Sequence, residues 1–208
     1  IKENITSIGK ETFSGCTNLT RITLPASLES VALDAFYECG RLVTDTKTVY
    51  YDGDVLSWMN IDFENHNSTP MIFADSFLCK ENEEYEKVTS IVIPQNMESV
   101  KNYVCYGFND LESLIIHKNV KEVGMYSFSN IYSLKYLEMP CINNMKIQSL
   151  EEIVISTNIP NNFFDGLENL KKVTLLEGVE FIGDEAFKEC KNRIYRSFLH
   201  LGSGMERN

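Results

Sequence analysis

Apolar residues return along this chain in a fixed order. From Leu19 it reads Leu-x-x-Ile-x-Leu-Pro, then Leu28 and Val31, then Ala35-Phe36-x-x-Cys39. The same order begins again at Val88, Leu111 and Leu170. Leu19 and Leu42, Val88 and Leu111, and Leu111 and Leu134 each lie 23 residues apart. Residues 5–16 match the second half of such a copy, so the chain opens in mid-unit and reads as a segment of a longer array. Two copies are irregular. The copy from Leu134 is cut short after Met139-Pro140, and the copy from Leu150 spans only 20 residues to Leu170. A sustained period of this length marks stacked repeats, each contacting its neighbours, rather than one globular core.

The pattern inside a unit predicts its geometry. In Leu-x-x-Ile-x-Leu the last two apolar residues alternate as in a half-buried strand. Ile22 with Leu24, Ile91 with Ile93, Leu114 with Ile116, and Val173 with Leu175 are expected to point inward. Pro25, Pro94 and Pro140 follow, and a residue without a backbone N–H ends a ladder strand. A second apolar pair comes next: Leu28 with Val31, Met97 with Val100, Val120 with Val123, and Val179 with Ile182. Two further ladders close the unit. One is Phe13, Phe36, Cys105, Phe128, Phe164 and Phe187; the other is Cys16, Cys39, Phe108, Ile131, Leu167 and Cys190. Cysteine exchanging with Phe, Ile and Leu at one position behaves as a small hydrophobe. No unit can bury such a face alone, so the units must stack with strands about 4.8 Å apart.

This unit resembles that of the BspA-like leucine-rich-repeat family of bacterial surface type. Ser30-Val31, Asp34-Ala35-Phe36, Cys39, Ile182-Gly183, Ala186-Phe187 and Cys190 carry the likeness, which extends over most of residues 5–192. The expected fold is a leucine-rich-repeat solenoid: short parallel strands stacked into a curved right-handed array, mainly β with turns and short helices. The array is expected over residues 1–192, with 193–208 as an irregular tail or partial cap. Residues 44–87 break the period, with Tyr50-Tyr51-Asp52-Gly53 followed by Trp58, and are similar to a divergent unit of the same family. Asp52-Gly53 signals a tight turn, Leu56, Trp58 and Ile61 one short helical turn, and Glu81-Asn82-Glu83-Glu84 an exposed hairpin tip.

Composition narrows the function. Asp and Glu number 30 against 19 Lys and Arg, a net charge of −11, which repels nucleic acid and anionic lipid. No run of about 18 apolar residues and no charged-then-apolar leader is visible. The six cysteines form no C-x-x-C pair. His66, His117 and His200 lie apart, and Asp52-Gly53-Asp54 lacks the later ligands of a calcium loop. No nucleophile elbow or phosphate loop occurs, so no catalytic residue, metal or cofactor is assigned and the chain is not expected to be an enzyme.

What remains is the row of outward strand positions. Thr23, Val92, Ile115, Glu138, Val154 and Thr174 lie between the inward pairs; Arg21, Tyr136, Glu152 and Lys172 come one step before. Arg21, Thr23, Val92, Ile115, Tyr136, Glu138, Val154 and Lys172 are therefore the candidate partner-binding residues. The resemblance implies a non-catalytic binding module of a cell-surface or secreted protein, whose partner is another protein such as a host matrix or cell-surface protein. A passive spacer within a longer surface protein is the alternative, and oligomeric state stays open.

Overall fold

The computed structural model describes residues 1, 3–81, 83–140, 149–191 and 195–198, with 81 and 195–198 as backbone. In chain order its strands are β1 (Ser7–Ile8), β2 (Arg21–Leu24), β3 (Ser30–Val31), β4 (Thr48–Tyr51), β5 (Asp62–Phe63), β6 (Ser76–Glu81), β7 (Glu84–Lys87) and β8 (Ser90–Val92). There follow β9 (Ser99–Val100), β10 (Ser113–Ile115), β11 (Glu122–Val123), β12 (Tyr136–Met139), β13 (Glu152–Ile155), β14 (Lys172–Leu175) and β15 (Tyr195–Phe198). One helical turn, α1 (Val55–Trp58), is capped by the Asp54 carboxylate, which accepts from the Ser57 N–H.

These elements form a solenoid. Its front wall is two parallel ladders, β2-β4-β6 with β7 added antiparallel, and β8-β10-β12-β13-β14-β15. The register keeps equivalent residues opposite one another: Leu114 faces Ile91 and Leu137, and Ile153 faces Val173. The back wall is thinner, with β1-β3-β5, β9-β11 and a bridge from Ile159 to Ile182. Residues 195–198, in the stretch without a visible repeat, add the last rung beside β14. The short copy from Leu134 still supplies a front strand; its Cys141 lies outside the described residues.

A third backbone ladder runs through the Ala-Phe turns. The N–H groups of Glu11, Phe13 and Gly15 donate to the carbonyls of Leu33, Ala35 and Tyr37 at 3.0, 2.9 and 2.8 Å. Tyr103, Cys105 and Gly107 bond Met125, Ser127 and Ser129 in the same way, and Asn162, Phe164 and Gly166 bond Asp184, Ala186 and Lys188. The turn places residues four apart in the left-handed region: Glu11 and Gly15, Asp34 and Glu38, Tyr103 and Gly107, Tyr126 and Asn130, Asn162 and Gly166, Glu185 and Glu189. Each non-glycine there costs about 1–2 kcal/mol. The inter-unit bonds hold the conformation regardless of side chain.

The inward residues behave as the pattern requires: Ile22, Leu24, Ile91, Ile93, Leu114, Ile116, Val173 and Leu175 are buried. So are Phe36, Cys39, Cys105, Phe108, Phe128, Ile131, Phe164 and Leu167, and Phe13–Phe36 and Phe164–Phe187 stack at 5.2 and 5.4 Å. The ladder expectation fails at its ends. Cys16 is exposed and Ile182 is 38% exposed, while Phe13, Phe187 and Cys190 are half-buried. The first of these units has a described neighbour on one side only, and the other has beyond it only the backbone of β15. Burial here is supplied by the next unit, so it weakens where that cover thins.

Residues 44–87 do more than interrupt the array. β4 and β6 are two full rungs of the first ladder, and the β6–β7 hairpin closes it, with Glu81 opposite Glu84 near the tip. The core nevertheless runs on. Trp58, fully buried, meets Tyr51, Phe63, Phe77 and, at 6.2 Å, Phe108 of the following unit. Its indole N–H donates to the Val104 carbonyl at 2.6 Å. Lys101 reaches back to Asp62 at 2.8 Å. The turn ladder is improvised at this junction: Leu33 N–H donates to the Glu64 carboxylate and Asp34 N–H to the Asn65 side chain. The Asp34 carboxylate accepts from Asn65 and Asn67, which holds it below the usual carboxylate range.

Two predictions concern stability. Trp58→Phe keeps an aromatic side chain but removes the indole N–H bonded to the Val104 carbonyl and leaves a void in the core, so it should cost about 1–3 kcal/mol in urea unfolding followed by circular dichroism. Gly166→Ala, at φ +75° with no atom within 4 Å of the new methyl, should cost only the left-handed penalty of about 1–2 kcal/mol. Gly183→Ala should cost more, because its methyl would sit 2.4 Å from the Asn161 backbone nitrogen.

Candidate functional site

The strand register sorts the outward residues into columns. In the first ladder Arg21, Thr48 and Ser76 form one column, and Thr23, Tyr50 and Leu78 the other. In the second, Ser90, Ser113, Tyr136, Glu152 and Lys172 align, as do Val92, Ile115, Glu138, Val154 and Thr174. The candidates therefore fall into two groups. Arg21 and Thr23 lie on the first ladder, whereas Val92, Ile115, Tyr136, Glu138, Val154 and Lys172 lie together on the second. Between them stands the β6–β7 hairpin, which interrupts strand pairing along the front wall.

Val92 is 50% exposed; Ile115, Tyr136, Glu138 and Val154 are half-buried, and Lys172 is exposed. Thr174 corrects the outward expectation: it is only 4% exposed. β15 pairs along its flank, a rung the sequence repeat does not announce. The charges beside the apolar stripe are satisfied between units. Lys172 meets Glu152 at 3.0 Å, Lys171 meets Glu151 at 2.9 Å and Lys135 meets Glu112 at 3.1 Å. The Tyr136 hydroxyl lies 3.4 Å from the Glu138 carboxylate; burial, then that charge, push its phenol up. At the strands' C-terminal ends His117, Glu138, Ser156 and Leu176 line an open groove of about 500 Å³.

The self-alignment of the sequence passes over Tyr50, Leu78, Lys80 and Tyr85, which lie in the aperiodic segment. The structure brings them to the same face as Arg21. The Arg21 guanidinium donates to the Tyr50 hydroxyl at 2.9 Å and lies 4.7 Å above its ring. Tyr85 meets Tyr50 edge-on at 5.0 Å and donates its hydroxyl to Asp52 at 2.6 Å. Partial burial and the Asp52 carboxylate push the Tyr85 phenol up to about 12. Thr48-Val49-Tyr50-Tyr51 does alternate as a strand, and that was the available signal: with Val49 and Tyr51 inward, Tyr50 must face out.

Reactive groups are scattered. Among the described residues no three His, Cys, Asp or Glu side chains converge as metal ligands. Cys79 faces the core, and His66 packs beside Tyr106. Burial pushes the Cys39 thiol up to about 11 and raises Cys105 and Cys190 as well. No helix among the described residues is long and apolar enough to cross a membrane.

A family model described as BspA type leucine rich repeat region matches residues 1–77 and 80–193 in six copies. Among solved structures, a leucine-rich repeat protein from Eubacterium ventriosum is 13% identical, with a TM-score of 0.44 over 95% of this chain and 73% of that one. A leucine rich cell surface protein from Faecalibacterium prausnitzii is 17% identical, with a TM-score of 0.47; this chain spans 59% of its length. The Treponema protein named T. pallidum Leucine Rich Repeat protein is 17% identical, with a TM-score of 0.40 over 90% of this chain and 71% of that one. No curated protein matches significantly.

Thiol burial makes a prediction of its own. At pH 8 iodoacetamide should alkylate Cys16 within minutes and leave Cys39 and Cys105 unmodified until denaturant is added. Peptide mass spectrometry would read the three sites separately.

Proposed function

This chain belongs to the BspA-type leucine-rich repeat family, and from that premise we propose that its front strand face is a protein-binding surface. The observation that carries the reading is the outward column in which Val92, Ile115 and Val154 are apolar and reached by solvent, with the Glu138 carboxylate between Ile115 and Val154 and Tyr136 beside it, on strands held by ladder hydrogen bonds. Rigid strands spare a partner most of the ordering entropy that binding otherwise costs. Glu112, Glu151 and Glu152 already pair with Lys135, Lys171 and Lys172, so docking strands none of these charges, whereas the Glu138 carboxylate accepts only from the Tyr136 hydroxyl among the described residues and calls for a donor on the partner. Arg21 and Thr23 extend the surface onto the first ladder, Glu138 is a charged position within the apolar column, and Lys172 lies on its polar rim. The array belongs, on this reading, to a cell-surface or secreted protein whose partner is a host matrix or cell-surface protein, and it performs no chemistry of its own.

Ile115→Asp and Tyr136→Asp test this directly. Each should weaken binding to an immobilised panel of purified extracellular-matrix and cell-surface proteins by tenfold or more, since central interface side chains are worth about 2 kcal/mol or more. Thermal melting should move little. Wild-type protein that binds none of the panel would favour a passive spacer. Variants that bind as well as wild type would move the surface elsewhere.

A further inference from the structure

Among the described side chains, ion pairing leaves one organised guanidinium unmatched. Every lysine and arginine whose side chain is described has a carboxylate within 4.0 Å except Arg21 and Lys118. Most of these pairs join one unit to the next. Lys118 is an exposed side chain in a turn. Arg21 differs, because its guanidinium is held in place on the strand face by Tyr50, which Tyr85 braces and Asp52 anchors in turn. A guanidinium carries five N–H donors, and the Tyr50 hydroxyl takes one direction only.

We propose that Arg21, Tyr50 and Tyr85 form the anchor point for an acidic segment of the protein partner, with a partner carboxylate seated on the Arg21 guanidinium. This rests on the protein-binding reading above and names the chemistry of the partner at the first ladder. Three features favour such an occupant. A carboxylate matches the fork geometry of a guanidinium and forms two parallel charge-assisted hydrogen bonds with it. Among lysines and arginines whose side chains are described, only Arg21 and Lys118 lack a carboxylate, and elsewhere the −11 net charge opposes an acidic ligand. Leu78, in register with Tyr50, and Tyr85, 37% exposed, offer an apolar side chain and a ring beside the carboxylate. Arg and Tyr held rigid before binding are the residue types that dominate interface energetics.

The probe is a fluorescein-labelled, amide-capped peptide of sequence Glu-Leu-Asp-Glu-Leu, compared by fluorescence anisotropy with its Gln-Leu-Asn-Gln-Leu counterpart. The acidic peptide should bind at least tenfold more tightly. Arg21→Ala should remove that preference, Arg21→Lys should restore it only in part because the fork is lost, and Lys118→Ala should leave it intact. Equal binding of both peptides, an unaffected Arg21→Ala protein, or an equal loss in Lys118→Ala would overturn the assignment. So would a uronic-acid polysaccharide bound through Arg21 while the acidic peptide is ignored. The same variants against the matrix-protein panel separate the two readings. If Ile115→Asp abolishes capture and Arg21→Ala changes neither capture nor peptide binding, the anchor is wrong and the strand-face reading stands.

Discussion

Leu24, Ile93, Ile116 and Leu175 are buried because another unit lies against the one that carries them. A coil of 23 residues encloses too little volume to hide its own apolar side, so the sharing of cores between neighbours is the constraint from which the rest follows. It requires identical register at each step, since a slip of one residue would turn the inward pair outward. The front ladder enforces that register, and the back ladder and the turn ladder repeat it on the other two sides of the coil. Where cover thins, so does burial, as exposed Cys16 and half-buried Cys190 demonstrate.

The junction at residues 44–87 obeys the same constraint by other means. Strand pairing breaks at the hairpin, yet Trp58 fills the space and Phe77 stacks on Phe108 at 4.6 Å, so the apolar core crosses where the hydrogen-bond ladder does not. The antiparallel β7 also occupies what would otherwise be an open edge in mid-array. Its residues Glu84, Glu86 and Lys87 are charged and exposed, the usual protection against pairing with another chain. The interruption divides the front face into an aromatic, cationic part on the first ladder and an aliphatic part on the second. A partner spanning both would meet two chemistries on one rigid support.

Much of the candidate surface was legible beforehand because a strand has only two sides. Once Ile91 and Ile93 are inward, Val92 must be outward, and the same reasoning placed Ile115, Tyr136 and Val154. Tyr50, Leu78 and Tyr85 were not found that way, because they lie in a segment that aligns with no other copy. Nothing in the sequence indicated that Tyr85 folds back onto Tyr50. That contact depends on a hairpin bringing residues 35 positions apart together.

The sequence by itself determined the unit, its inward faces and the stack, since periodicity in apolar residues is a local property that every copy states again. Only the tertiary structure decided which residues would tolerate the left-handed turn positions, where Glu38, Tyr126 and Glu189 sit beside the more permissive Gly15, Gly107 and Gly166. It alone decided that outward Thr174 is buried, that Ile182 is exposed, and that Arg21 keeps a guanidinium free of carboxylates. Those outcomes depend on what the neighbouring unit places alongside, and one copy of a repeat carries no record of its neighbour.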